Sequence, residues 1–304
     1  MGQAGHTADT SPEFSIIIAV YNDWAVLDGC LQSLAAQQNA PAFEVIVVDD
    51  GSKEPAPSFI REWNRSYRLA IITESHGGIP AARNRGIQAS KGSILVFVDA
   101  DSRLETDCLV ALGSAISNSA NDYFQLHLVG DNTNLLGRAE ELRLQTFQKY
   151  TLQSDGRIRY LNTAGFAIRR KRVDVQKGLF DPHLPRGEDT LLLAQLIKRE
   201  ELPFFVANAK VQHVVPFSTW RCIRKDFHSA YLERTSYGLI GSMAVQVRLK
   251  NRDRWNILRD MWEVSKSPRI GRSAWVAVVV RQGMQRGFAF FWWLSRLRPS
   301  FPST

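Results

Sequence analysis

Short apolar runs that alternate with helix-like stretches constrain the fold of this chain more than any other feature of its sequence. The four runs are FSIIIAV (14–20), FEVIVVDDGS (43–52), RLAIITES (68–75) and SILVFVDADS (93–102). Residues 25–37 and 80–90, which lie between them, repeat apolar residues at helical spacing. Strands that are apolar throughout and alternate with helices are typical of a parallel sheet. We therefore predict an α/β fold with a doubly wound, mostly parallel sheet and helices on both faces.

The second half of the chain is less regular. Residues 161–168 predict a strand, 187–200 a helix that begins with acids, and 203–215 one or two strands. Residues 103–160 mix polar and helical segments. Beyond Trp220 the chain is basic and aromatic, and we expect it to be helical.

Polar side chains follow three of the predicted strands at their carboxyl ends. They are Tyr21 and Asn22, Asp49 and Asp50, and Asp99 and Asp101. In open α/β sheets, ligands bind in the crevice beyond these strand ends. We therefore expect the three segments to converge on one site.

Asp99 and Asp101 form a D-x-D pair where a strand bends into a loop. Two such carboxylates can bind one hard cation, and oxygen ligands suit Mg²⁺ or Mn²⁺. The alternative is that these acids only form the turn. His213, which follows an apolar strand, is a candidate third ligand, although a lone histidine there is more often structural.

Three further residues are candidates for binding an anionic, nucleotide-like ligand. Asp49 or Asp50 could accept hydrogen bonds from a base or a ribose, or could cap a tight turn at Gly51. Arg83 lies near the start of a predicted helix, where anions bind, and we assign it to a diphosphate. A solvated helix face, the alternative, fits Arg85 better.

Glu188 and Asp189 open a helix whose leucines form a buried face. Because the helix holds them rigidly, one of these acids can serve as a general base. Acids at a helix start are usually caps, which is the simpler interpretation.

The formal net charge of +8 is unevenly distributed. Residues 221–304 contain 16 Lys and Arg against 5 Asp and Glu, a net charge of +11, which leaves −3 for the first 220 residues. The basic residues lie beside large apolar ones and no nucleic-acid-binding signature is present, so we favour an anionic membrane over nucleic acid as partner. Three widely spaced cysteines and the lack of a secretory signal favour a cytoplasmic location.

Residues 274–280 and 288–294 are the most apolar part of the tail, and Arg281 and Arg286 separate them. A spanning helix needs about 20 apolar residues, so neither run is long enough. Trp292-Trp293 with flanking arginines is typical of an interfacial segment, which predicts peripheral docking on the cytoplasmic leaflet. The alternative is a helix pair that packs on the rest of the protein.

In their order and spacing, six segments of the chain resemble family 2 glycosyltransferases. They are FSIIIAVYN, VIVVDDGS, GGIPAARNRGI, VFVDADS, NTAGFAIRRKRVDVQKGLFDPHL and GEDTLL. The resemblance runs from about Phe14 to Tyr237. It implies a GT-A fold of Rossmann-like type, an inverting single displacement, and a UDP- or GDP-sugar donor with Mg²⁺ or Mn²⁺.

The resemblance also implies roles for individual residues. The donor would be bound by Val20, Tyr21, Asn22, Asp49, Asp50, Arg83, Asp99 and Ala100, and the metal by Asp99, Asp101 and His213. Asp189 matches the family's catalytic base. The corresponding domains are a leader (1–13), a nucleotide-sugar-binding half (14–102), an acceptor-binding and catalytic-base half (103–220) and a helical basic extension (221–304).

Two departures from the family pattern refine the expectation. The Q-x-x-R-W element of the processive synthases is missing from 214–238, and no apolar stretch is long enough to span a membrane. We therefore expect transfer of a single sugar, from a UDP-sugar by preference, to a lipid-linked or saccharide acceptor. The alternatives are a non-catalytic nucleotide-sugar-binding protein and a nucleotidyltransferase, although the latter normally has a Gly-rich loop where this chain has VYNDWAV.

Overall fold

A computed structural model describes residues 12–61, 63, 67–214, 219–240 and 251–294 of the 304-residue chain. The strands are β1 (Phe14–Val20), β2 (Phe43–Asp49), β3 (Arg68–Thr73), β4 (Ile94–Val98), β5 (Ser102–Leu104), β6 (Tyr123–Gly130), β7 (Gly165–Arg169) and β8 (Phe204–His213). The helices are α1 (Trp24–Ala35), α2 (Ser58–Arg61), α3 (Ile79–Ala89), α4 (Cys108–Ser117), α5 (Leu135–Thr151), α6 (Glu188–Lys198), α7 (Thr219–Ile240), α8 (Asn251–Val264) and α9 (Arg272–Leu294). A short 3₁₀ turn follows β7 at Arg170–Arg172. Most of the predicted leader, residues 1–11, lies outside the described residues.

One sheet of eight strands, in the order β3-β2-β1-β4-β7-β6-β8-β5, runs through the protein. Strands β3, β2, β1 and β4 are parallel, and so are β6 and β8. β7 runs antiparallel to both of its neighbours, and β5 is antiparallel to β8. The predicted α/β class with a mostly parallel sheet is therefore confirmed.

The alternating side chains of β1 explain why the sheet is covered on both faces. Ile16 and Ile18 lie in an apolar cluster with Leu31 and the rest of the buried face of α1. Ile17, between them in sequence, lies in a second cluster with Ile87 of α3 and with leucines of α6. All three isoleucines are fully buried, which explains why consecutive residues in this part of the strand are apolar.

The strand predicted over 93–102 ends early, at the bend into a loop that the sequence analysis expects at the D-x-D pair, and the short strand β5 after it was not predicted. β4 ends at Val98, a turn occupies Asp99–Asp101, and β5 pairs with β8 on the far side of the sheet. The sequence pattern also missed β6, which lies within 103–160. The predicted division at residue 102 falls at the first residue of β5, and since β4 pairs with β7, one sheet runs across that division. The domain boundaries remain predictions.

The C-terminal extension is helical, as expected, and packs on the rest of the protein through α5. Ala139 and Leu142 of α5 form an apolar cluster with Ile257, Met261, Ile270, Ala274 and Val278 of α8, α9 and the turn between them. Within the described ranges, no helix combines the length and the apolarity that crossing a membrane requires. The side chains of Trp292 and Trp293, on which the interfacial prediction drew, lie outside the part of α9 whose side chains are described.

Candidate active site

Hydrogen bonds join the end of β1 to the loop that follows β2. Asn22 adopts a left-handed conformation with φ of 56°, its backbone N–H donates to Ser52 Oγ at 2.8 Å, and its Oδ1 accepts from Lys53 N–H at 2.8 Å. Tyr21 is 43% exposed and stacks on the His76 ring, with the ring centroids 4.3 Å apart. Val20 is buried, and its carbonyl accepts from the Asp50 N–H. The stacked Tyr21–His76 pair is therefore the exposed surface at this strand end.

The two acids after β2 are almost fully buried, each with 3% exposure. Asp49 Oδ1 accepts a hydrogen bond from Ser52 N–H at 2.9 Å, which closes the turn at Gly51. The Asp50 carboxylate accepts from the backbone of Gly77 at 2.7 Å and lies 2.8 Å from His76 Nδ1. These are the contacts that the turn-forming interpretation expects, and the assignment of Asp49 and Asp50 to the nucleoside stays a prediction.

Arg83 lies on α3 and joins two chain segments that are far apart in sequence. Its Nη2 donates to Asp99 Oδ1 at 2.8 Å, and its Nη1 donates to Glu188 Oε1 at 2.5 Å. The Arg83 side chain is only 4% exposed, whereas that of Asp99 is 39% exposed. The end of β4 and the start of α6 thus meet around one buried guanidinium. Because both amino groups have carboxylate partners, a direct contact between Arg83 and a diphosphate would require one of these partners to move.

The two acids that open α6 have different surroundings. Glu188 is paired with Arg83, and its side chain is 11% exposed. Asp189 is half-buried and accepts a hydrogen bond from the Thr190 N–H at 2.6 Å. Burial and the neighbouring charge of Glu188 raise the pKa of Asp189 to about 6. A carboxylate with a pKa near neutrality is suited to accept a proton, and this favours Asp189 over Glu188 as the base.

Asp101 and His213 are brought together by the pairing of β5 with β8. Ser102 is opposite His213 in the ladder, and the Val214 N–H donates to the Asp101 carbonyl at 3.0 Å. Asp101 Oδ2 lies 3.5 Å from His213 Nε2 and 3.8 Å from Lys225 Nζ. Burial opposes ionisation of Asp101, but the contact with His213 and the charge of Lys225 outweigh it and lower the pKa of this carboxyl. The chain therefore holds Asp101 as a carboxylate.

These donors fit a divalent cation only in part. No group of three or more His, Cys, Asp or Glu side chains is gathered tightly enough to bind a metal in the described portion of the chain. Asp99 instead faces Arg83. In favour of a metal, Asp101 and His213 place an oxygen and a nitrogen ligand side by side, and the buried His213 Nδ1 has no hydrogen-bond partner. The set of Asp99, Asp101 and His213 as metal ligands stays a prediction. Ala100, between the two acids, is buried and would contribute only its backbone.

The sequence analysis assigned no role to His76 and Lys225, which contact the candidate site residues. His76 directly precedes the Gly77-Gly78 pair, and its position beside a glycine loop was the available signal. Lys225 lies within the basic extension, where nothing in the sequence distinguishes it from Arg224 or other cations.

Much of the chain is similar to known glycosyltransferases. The family described as "Glycosyl transferase family 2" matches residues 15–176, more than half of the chain. Putative glycosyltransferase EpsH of Bacillus subtilis (strain 168) is 35% identical over 98 residues, which are 32% of this chain and 28% of EpsH. Glycosyltransferase AglE of Haloferax volcanii is 32% identical over 188 residues, which are 59% of this chain and 60% of AglE. The chain thus spans less than two thirds of the length of either relative.

Two solved structures share the architecture at low sequence identity. Residues 1–349 of TarS from S. aureus, solved in complex with UDP, superpose with a TM-score of 0.55 at 18% identity, covering 96% of this chain and 94% of that one. The mannosyltransferase PcManGT from Pyrobaculum calidifontis, solved with GDP-Man and Mn²⁺, gives a TM-score of 0.60 at 15% identity, covering 95% and 89%. At these identities the likeness bears on the fold, and the GT-A architecture that the resemblance implies is confirmed. The chain belongs to glycosyl transferase family 2.

Proposed function

We propose that this chain transfers a single sugar from a nucleotide diphosphate sugar, by preference a UDP-sugar, to an acceptor hydroxyl with inversion at the anomeric carbon. The observation that carries the proposal is the pair of hydrogen bonds from Arg83 to Asp99 and Glu188. These bonds join Asp99, at a strand end where we expect the donor, to the start of the helix that carries Asp189. The raised pKa of Asp189 suits a base. The proposal covers only what this chain spans of its longer relatives.

In this reaction Asp189 takes the proton from the acceptor hydroxyl as its oxygen attacks the anomeric carbon. The new carbon–oxygen bond forms while the bond from the sugar to the diphosphate breaks, and the nucleoside diphosphate leaves. A Mg²⁺ or Mn²⁺ ion held by Asp99, Asp101 and His213 would offset the negative charge that develops on the departing diphosphate. The contact between Asp101 and His213 would hold these two ligands next to each other.

The stacked rings of Tyr21 and His76 offer a flat, exposed surface at the end of β1 for the base of the nucleotide. Asn22 holds the adjoining loop, and Asp49 or Asp50 would contact the nucleoside from below. Since TarS was solved with UDP and PcManGT with GDP-Man, donors of both nucleosides belong in the first screen.

The proposal is tested by measuring metal-dependent release of UDP or GDP from a panel of nucleotide sugars, with saccharide and lipid-linked acceptors supplied. Asp189→Asn should abolish turnover and leave donor binding intact. Asp155→Asn, which removes an exposed carboxylate from a loop, is the matched control and should retain activity. Donor binding without turnover in the unaltered chain would favour the non-catalytic alternative. Pyrophosphate release from a nucleoside triphosphate would favour the nucleotidyltransferase.

We further propose that the extension docks on the anionic cytoplasmic leaflet, near a lipid-linked acceptor. One face of α9 packs on α5 through Ala274 and Val278, while Val276, Val280 and Phe290 are exposed on the opposite side. Helices α8 and α9 and the turn between them carry eight Arg and Lys against three Asp and Glu. An exposed apolar helix face among cations is complementary to a layer of anionic headgroups.

Vesicle flotation tests the membrane contact directly. The intact chain should float with vesicles that contain anionic lipid, and Val276→Asp combined with Val280→Asp should reduce the floating fraction. Leu152→Asp combined with Phe59→Asp, which places the same two charges at exposed apolar positions outside α9, should not. Equal flotation of all three proteins would reject the assignment of this face.

A further inference from the structure

The C-terminal extension places a cation at the strand end where the donor is expected. Lys225, on α7, lies with its Nζ 3.8 Å from Asp101 Oδ2, the oxygen that also faces His213. The Lys225 side chain is 59% exposed, whereas that of Asp101 is 22% exposed. The lysine therefore reaches a partly buried carboxylate from the side that is open to solvent.

The neighbouring residue on α7 fixes this helix to the rest of the extension. The Asp226 carboxylate, 5% exposed, accepts from Arg281 Nε at 2.7 Å and from Arg281 Nη2 at 2.8 Å. Arg281, on α9, also lies 3.8 Å from Glu140 of α5, which pairs with Arg143. A two-point contact with an arginine orients both partners, and a buried acid requires such a partner. The ion pair thus sets the rotation of α7 and the direction in which Lys225 points.

The charges of the neighbouring residues indicate what Lys225 could bind. In the structure the charge of Arg83 is already balanced by two carboxylate partners. A nucleoside diphosphate gains a further negative charge as it leaves the sugar. Among the described residues, Lys225 is held only by a 3.8 Å contact with Asp101 and is 59% exposed, and its flexible stem can move from Asp101 to a phosphate oxygen.

We infer that Lys225 is a donor-binding residue that contacts the diphosphate, and that the Asp226–Arg281 ion pair positions it there. The inference rests on the proposed function and deepens it, because it makes the extension a part of the donor site. If Asp101 held a metal ion, the ammonium group of Lys225 would be released from this carboxylate and would be free to contact the phosphates. The extension then contributes to the transfer reaction itself as well as to docking.

Calorimetric titration of the full chain with UDP and with GDP, in the presence of Mn²⁺, tests the inference. Lys225→Ala should weaken binding of the diphosphate by about tenfold or more, the usual effect of losing one charge-assisted hydrogen bond. Lys225→Arg should recover most of the loss, and binding of the free nucleoside should not change. Lys266→Ala, which removes the same side chain from an exposed pair with Glu263 just after the end of α8, is the control and should bind as the unaltered chain does.

The possible results separate the inference from the function on which it rests. If the unaltered chain binds neither UDP nor GDP, the proposed function fails and the inference with it. If the unaltered chain binds one of them and Lys225→Ala binds it equally well, only the inference is overturned. A loss of nucleoside binding in Lys225→Ala that matches the loss of diphosphate binding would also overturn it, since that result indicates a general disturbance.

A second variant tests the positioning role of the ion pair. Arg281→Lys keeps the positive charge opposite Asp226 but cannot make the two-point contact. It should weaken diphosphate binding by a few-fold while the thermal midpoint of unfolding stays close to that of the unaltered chain. Unchanged diphosphate affinity would remove the ion pair from this role, and a large drop in the midpoint would identify it as structural only.

Discussion

Arg83 and Glu188, which lie 105 positions apart in the sequence, are joined by a hydrogen bond of 2.5 Å from Nη1 to Oε1. Through the same guanidinium, the start of α6 is connected to Asp99 at the end of β4. This bridge determines how far Asp189 lies from the expected donor. Its consequences can be measured in stability as well as in catalysis.

Glu188→Gln should destabilise the protein by about 1–3 kcal/mol, because the buried Arg83 exchanges a charged partner for a neutral one. Urea unfolding measures the change. Glu74→Gln breaks an ion pair with Arg85 in which both side chains are more than 40% exposed, and it should cost about 0–1 kcal/mol. Equal effects of the two substitutions would mean that the bridge adds nothing to stability.

The raised pKa of Asp189 predicts how activity depends on pH. A base must be ionised to accept a proton, so kcat/KM should rise with pH through about 6 and level off above it. A pH profile of donor turnover at saturating metal measures this. A midpoint near the ordinary value for an aspartate, about 4, would contradict the environment that we describe for Asp189.

The raised pKa of Asp189 affects stability in the opposite direction: activity should rise with pH, whereas stability should fall. The folded state holds the Asp189 proton more tightly than the unfolded chain does, so the ionised carboxylate costs stability, and this cost grows as pH rises from about 4 to about 6. Asp189→Asn removes the charge and should stabilise the protein at pH 8 by on the order of 1–3 kcal/mol, with little effect at pH 4. Urea unfolding at the two pH values measures the difference. A variant that is less stable at pH 8 would rule out this cost.

Loss of a ring from the Tyr21–His76 stack should weaken binding of the nucleoside. Since stacking on a nucleobase contributes about 1–3 kcal/mol, His76→Ala should raise the dissociation constant of the nucleoside about tenfold. Titration calorimetry with uridine and guanosine measures it. His183→Ala removes an exposed histidine elsewhere and should leave the constant unchanged.

Removal of the metal should abolish turnover if Asp101 and His213 hold one. A chelator should stop the release of nucleoside diphosphate, and added Mn²⁺ or Mg²⁺ should restore it. Asp101→Asn should raise the Mn²⁺ concentration required for half-maximal activity at least tenfold. Asp107→Asn, at an exposed position outside the site, should not. Full activity in the chelator would exclude the assigned cation.

The sequence predicted the elements whose hydrophobic pattern is continuous. β1, with Ile16, Ile17 and Ile18 buried on both faces, could be identified from its composition alone. β6 could not, because it lies within residues 103–160, whose pattern mixes polar and helical segments. The bend at Asp99–Asp101 was expected, but the short strand β5 after it was missed, since an apolar run indicates where a strand lies but not which strand the chain pairs with after a bend.

For the site, too, the sequence predicted local features but not contacts between distant segments. The strand-end acids were located correctly in sequence, but their partners depend on contacts between distant segments. The hydrogen bonds of Asp50 with the Gly77 loop and of Asp99 with Arg83 leave no local trace in the sequence. The approach of Lys225 to Asp101 depends on the Asp226–Arg281 ion pair, and no pattern around residue 225 indicates it.

That ion pair also decides how the extension can be studied. A chain cut near residue 250 would lose Arg281 and leave the Asp226 carboxylate buried without its counter-charge. It would also expose the apolar face of α5 at Ala139 and Leu142. Such a shortened protein would be altered in its catalytic half even if the tail served only to hold a membrane. Single substitutions on the outward face of α9 are therefore the way to separate attachment from chemistry.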